Sequence, residues 1–121
     1  MQSAAQAYGS VAKQSSSPRE LEANLLLQAA SRLQSIKDGW DAKKSQLEAA
    51  LLYNRKLWSV FLSTATSGNN PLPPEIRQNI ANIGIFVMNH KLETSFDPKP
   101  EKLAPLIQIN RELAAGLLGR A

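Results

Sequence analysis

Residues 47–62 read LEAALLYNRKLWSVFL. On a helix of about 3.6 residues per turn, Leu47, Ala50, Leu51, Asn54, Leu57, Trp58, Phe61 and Leu62 fall on one side. Lys56 points well away from that side, and Arg55 lies at its edge. No period of two organises these residues, so the stretch predicts an amphipathic helix. The letters also raise a question of function, because basic residues among aromatics are a nucleic-acid cue. A base-stacking platform needs aromatics and cations on one exposed face. Here the two diverge: the aromatics point to a core while the cations point away. Asn54 is the exception, a polar side chain in the middle of the apolar seam.

Working outward, proline and glycine divide the rest of the chain into further helical stretches. Residues 3–14 form a weak, alanine-rich pattern with Ala4, Tyr8, Val11 and Ala12 on one side. So short a helix is marginal alone in water and has to dock on the body or on a partner. SSSPRE, residues 15–20, predicts a helix start: Ser17 as cap, Pro18 at the first position, Glu20 closing a capping box. Leu21, Leu25, Ala29, Leu33, Ile36 and Trp40 then share a face, and Asp38-Gly39 ends or bends the helix. The helix containing the opening stretch is expected over 41–66. SGNNPLPP, residues 67–74, is a loop.

A further helix is expected from Pro73 or Pro74 to Leu92. Its one face carries Ile76, Ile80, Ile83, Phe86, Val87 and His90, with Asn79 at the border. Its other face carries Ala81, Ile85, Met88 and Leu92. A helix apolar on two sides is expected at the centre of a bundle, and Gly84 offers a neighbour close approach. DPKPEK, residues 97–102, is a rigid connector. The last helix, over 102–118, carries Leu103, Leu106, Asn110, Leu113, Ala114 and Leu117 in its stripe, with Pro105 in the first turn and Gly119 after the end. The fold class is therefore all-α: one domain over residues 1–121, a bundle of about four main helices plus a weakly anchored N-terminal helix over residues 1–16, with no sheet.

Composition narrows the function. The 121 residues include no cysteine and one histidine, which excludes disulfides, thiolate metal sites and cysteine nucleophiles. The formal charge of +4 is modest and has no basic block. No signal peptide and no membrane-spanning run are present, so the expectation is a cytoplasmic protein without membrane insertion. No phosphate loop, HExxH or EF-hand spacing occurs. The nearest carboxylate pairs, Glu20/Glu22 and Asp38/Asp41, read as a cap and a turn. His90 reads as a half-buried residue near a helix C-terminus. The expectation is no enzyme, no cofactor and no metal.

INRELA, residues 109–114, repeats the feature seen at Asn54: Asn110 sits mid-stripe, with Arg111 on the flank. Several amides on core faces are expected to satisfy one another or the backbone, because an unpartnered buried amide costs about 1–3 kcal/mol. They either set helix register, as polar core residues do in coiled coils, or line a groove for a partner helix.

AxxAY at residues 4–8, PRELEANLLLQAASRLQ, LLYNRKLWSVF, NNPLPPEIRQNIANIGIFV and LIQINRELAAGL together resemble the FlaF family of alphaproteobacterial flagellar biosynthesis regulators. The likeness runs from about Ala4 to Gly119, in the family's order. It implies a small cytoplasmic, non-enzymatic protein that controls flagellin production, acts opposite the translational repressor FlbT, and contacts flagellin itself. Flagellin is thus the expected partner, in an adaptor or chaperone-like role. The alternative is a regulator that binds flagellin mRNA directly, suggested by the charge and by Lys43, Lys44, Arg55 and Lys56. A homo-oligomeric scaffold is the third possibility. Tyr8, Tyr53, Asn54, Arg55, Arg77 and Asn82 are the candidate partner-binding residues.

Overall fold

The computed structural model describes residues 18–65, 67–68 and 72–119, and among these it contains helices and no strand. Four long helices follow one another: α1 (Pro18–Asp38), α2 (Leu47–Ala65), α3 (Pro74–Phe96) and α4 (Leu103–Leu117). This is the all-α bundle that the sequence predicts. The expected N-terminal helix with its Tyr8, the Ser17 cap, and Asn69, Asn70 and Pro71 of the loop lie outside the described residues.

α1 starts at Pro18, where the missing amide hydrogen is of no consequence. It buries Ala23, Leu26, Ala29, Ala30, Leu33 and Ile36. The expected stripe through Leu21 and Leu25 is corrected: both are only half-buried, and Leu26 faces the core instead. Three consecutive leucines at 25–27 leave the local pattern unable to choose. The choice is made by Ala23, Ala29 and Ala30, whose small side chains let α4 lie close against this face. α1 and α4 pack most extensively of all helix pairs. They run antiparallel, since Arg19 shares one groove with Leu113 and Leu117, while Gln34 and Lys37 share another with Ala104 and Ile107.

The expected helix over 41–66 is interrupted at its start. A single α-turn, Trp40–Lys43, passes into a 3-10 turn, Lys44–Gln46, before α2 begins at Leu47. The Lys43–Gln46 run offers no apolar residue to bury, so packing does not hold it in α geometry, and the tighter turn makes the corner. Gly39 makes the bend: its amide donates to the Ser35 carbonyl at 3.0 Å, and its own carbonyl accepts from Lys43 at 2.9 Å. From Leu47 onward, α2 buries Leu47, Ala50, Leu51, Asn54, Trp58 and Phe61, as the sequence predicts, together with Ala65, while Leu57 and Leu62 of the expected stripe are half-buried.

At the centre of the core, α2 and α4 are joined by side chains and not by close backbone approach. Trp58 Nε1 donates to Asn110 Oδ1 at 2.9 Å, and Asn110 Nδ2 donates to Asn54 Oδ1 at 2.7 Å. All three residues are essentially inaccessible to water. The amides satisfy one another, as expected, and Trp58 joins them. The chain of bonds fixes the height of α4 against α2, since a shift of one turn on either helix would strand a buried donor or acceptor.

α3 is one turn longer than expected, ending at Phe96 and not at Leu92. Thr94 is fully buried, its hydroxyl donating to the His90 carbonyl at 2.8 Å. Asp97 then leaves the helix before Pro98, which disfavours helical backbone in the residue preceding it. The expected central position of α3 is also corrected. It packs along α2 and touches α4 at few points, so it lies at the edge of the bundle. Its pairing with α2 is antiparallel: Glu48 approaches Lys91 at 3.8 Å at one end, and Ala65 lies beside Arg77 and Ala81 at the other. Gly84 provides the close approach that the sequence suggested. A methyl group there would stand 2.6 Å from Leu62 Cδ2 and 2.7 Å from its Cγ.

His90 is not at its helix terminus. It stacks on Phe86 with ring centroids 5.4 Å apart, and its Nε2–H donates to the Lys102 carbonyl at 2.7 Å. The histidine therefore ties α3 to the turn that launches α4. Across the same connector, Lys102 Nζ donates to Asp97 at 3.2 Å. That bond, with the charges of Lys102 and Lys99, holds the Asp97 carboxyl below its ordinary value.

Candidate partner-binding surfaces

Among the described residues, two apolar surfaces stand out. The first is a groove of about 510 Å³ between the start of α3 and the end of α4, closed at one end by the first turn of α1. Leu72, Ile76, Ile80, Ile83, Leu113 and Leu117 form its walls. Arg19 and Asn79 supply polar groups to its lining. Near the start of α1, burial pushes the Glu22 carboxyl up, and the Arg19 charge opposes that rise. Ile76, Ile83, Leu113 and Leu117 follow the sequence pattern of core residues. They stay partly open because nothing among the described residues fills the space between the two helix ends.

The second surface is the outer side of α3. Ala81, Ile85, Met88 and Leu92 recur at steps of four, three and four, with Phe96 four residues further on; Ala81 and Met88 are half-buried at its inner margin. Ile85 is 59% exposed, Leu92 66% and Phe96 93%. A four–three spacing is the seam of a two-stranded coiled coil, so the surface matches one partner helix laid along it. The stripe runs about 22 Å from Ala81 to Phe96 at the rise of an α-helix. Asn82 and Arg77 flank it on opposite sides of α3. Asn82 Oδ1 accepts from Gln78 Nε2 at 3.0 Å, and Arg77 Nη1 donates to the Ser67 carbonyl at 3.2 Å.

The other residues singled out in the sequence lie elsewhere. Asn54 is held in the core network. Tyr53 is half-buried, with the Arg32 guanidinium 5.9 Å from the centre of its ring. Arg55 and Lys56 are exposed on α2, while Trp58 and Phe61 of the same stretch are buried. Cations and aromatic faces are therefore not presented together here. Lys43 Nζ donates to Ser35 Oγ at 2.6 Å. Tyr8 lies outside the described residues. Phe96 could not be foreseen as part of a surface, because α3 was expected to stop at Leu92. The signal for the rest of the stripe was the second apolar side of α3.

The family model described as flagellar protein FlaF matches residues 4–117. The chain belongs to the FlaF family. The match takes in both walls of the groove and the stripe as far as Phe96, so both surfaces lie within the FlaF unit. No curated protein and no solved structure matches the chain. Among the described residues, no group of three or more His, Cys, Asp or Glu side chains comes together to hold a metal ion. No helix among them is long and apolar enough to cross a membrane.

Proposed function

We propose that this FlaF-family chain is a cytoplasmic, non-enzymatic adaptor for flagellin that opposes translational repression of the FlbT type by engaging flagellin before and during secretion. The observation that carries the reading is the exposure of Ile85, Leu92 and Phe96 along one side of an edge helix. Apolar side chains so exposed, at coiled-coil spacing, favour an amphipathic helix as the occupant. Flagellin termini are amphipathic helices, and membership of a flagellar family favours flagellin as the partner of that chemistry. Nothing catalytic is required: the adaptor would act by covering the apolar face of a flagellin helix. Arg77 and Asn82, at the flanks of the stripe, would meet the polar edges of that helix.

Binding driven by apolar burial should be nearly independent of salt, whereas binding to phosphates weakens by about one log unit per log unit of salt for each contact. The protein is titrated with flagellin and, separately, with the leader RNA of flagellin mRNA, at about 50 and 200 mM salt. The expected result is flagellin binding that changes less than about threefold between the two salts, with negligible RNA affinity. Tight, leader-specific RNA binding that collapses at the higher salt would transfer the function to RNA.

A further inference from the structure

We infer that the outer stripe of α3 also pairs, antiparallel, with the same stripe of a second copy, so that the free protein forms a weak dimer which flagellin displaces. The displacement rests on the reading of the stripe proposed above, whereas the pairing does not. A two-fold interface must be complementary to itself, residue i meeting j while j meets i. The stripe meets that condition in the antiparallel direction. Ala81 then faces Leu92 of the second copy, Ile85 faces its Met88, and the same two contacts recur in reverse order. Small Ala81 stands against bulky Leu92 in both outer layers, so the two helices stay evenly spaced.

The flanks fit the same register. Lys91 comes level with Asn82 of the second copy and Glu93 with its Ile80, so no like charges are brought together. Phe96, 93% exposed in the single chain, lies just past the last layer and closes the end of the pair. A parallel pairing lacks this fit. It sets the two Ala81 across a gap and brings the two Glu93 level with each other. Pairing takes Ile85, Leu92 and Phe96 out of water, and these are the most exposed large apolar side chains of α3. The contact is a single helix pair about 22 Å long, which is small for a protein interface. The dimer therefore exchanges with monomer, and an amphipathic helix with a better-matched apolar face takes the place of the second copy. Self-pairing thus covers the stripe while flagellin is absent and gives way when it arrives.

The test uses the full chain. Its sedimentation mass should rise from one chain toward two between about 10 μM and 1 mM, the range of a small interface. Ile85→Asp/Leu92→Asp should stay monomeric throughout, with the helical circular dichroism of the parent. The direction of pairing is read by cross-linking, since the chain has no cysteine of its own. Ala81→Cys mixed with Leu92→Cys should form a disulfide-linked dimer on mild oxidation. Neither variant alone should do so, because like positions are then about 16 Å apart along the helices, too far for a disulfide. Saturating flagellin should abolish the cross-link and yield complexes with one copy of this chain. The inference is overturned if the parent stays monomeric at 1 mM, or if the aspartate variant dimerises equally well. Cross-links within each single variant and none in the mixture would overturn it too, as would a dimer that persists with flagellin bound. A correct cross-link with no flagellin binding at all would support the pairing and sink the flagellin reading alone.

Discussion

Asn110→Ala should lower the stability of the fold by about 3–5 kcal/mol. Asn110 is the middle member of the buried chain, accepting from Trp58 and donating to Asn54. Truncation strands the indole N–H and the Asn54 oxygen in a site that water does not reach, and each such group costs about 1–3 kcal/mol. The cavity left by the amide adds to this. Total stabilities of small domains are about 5–15 kcal/mol, so the loss would be a large part of the whole. Asn54→Leu, which strands a single donor, should cost less, about 1–3 kcal/mol. Urea unfolding of the three proteins checks both values. An Asn110→Ala protein within about 0.5 kcal/mol of the parent would show that the network contributes little.

Gly84→Val is expected to destabilise by about 2–3 kcal/mol through overpacking. The first added carbon already meets Leu62 Cγ, close to the α2 backbone, and rotation of the valine side chain does not move that carbon. The gain in helix propensity from removing glycine is at most about 1 kcal/mol and does not offset this. Leu62→Ala in the same chain removes the obstructing atoms. The double variant should therefore be more stable than the sum of the two single changes by at least about 1 kcal/mol, a coupling that a double-mutant cycle measures. Additive losses would mean that α3 moves away from α2 freely.

How much the sequence foretold varies with how each helix is packed. α2 was legible almost residue by residue, because its apolar residues form one stripe opposite a polar face. α1 was legible as a helix, but its buried face was rotated in the first half. Leu25, Leu26 and Leu27 are equivalent to a periodicity argument, and the alanines that admit α4 carry little hydrophobic weight. Asn54 and Asn110 were recognisable as polar residues in apolar seams that needed each other. The part played by Trp58 was hidden, since an indole donor looks like any other core aromatic until its partner is in place. α3 was the hardest. Two apolar faces suggest burial on both sides, and only the tertiary arrangement decides that one face stays in solvent. The sequence contained the letters of the stripe but not their exposure, and Phe96 entered it only because the helix runs one turn past Leu92 before Asp97 leaves it.

The central claim is that the outer face of α3 holds flagellin, and it is tested most directly by titrating flagellin into the parent protein and into Ile85→Asp/Leu92→Asp. Both side chains are exposed, so the double variant should unfold like the parent. Two anchors replaced by carboxylates should weaken binding by at least about 100-fold, the scale of a lost hot spot. Equal flagellin affinity in the two proteins, with the parent binding tightly, would contradict the account and place the contact on another surface.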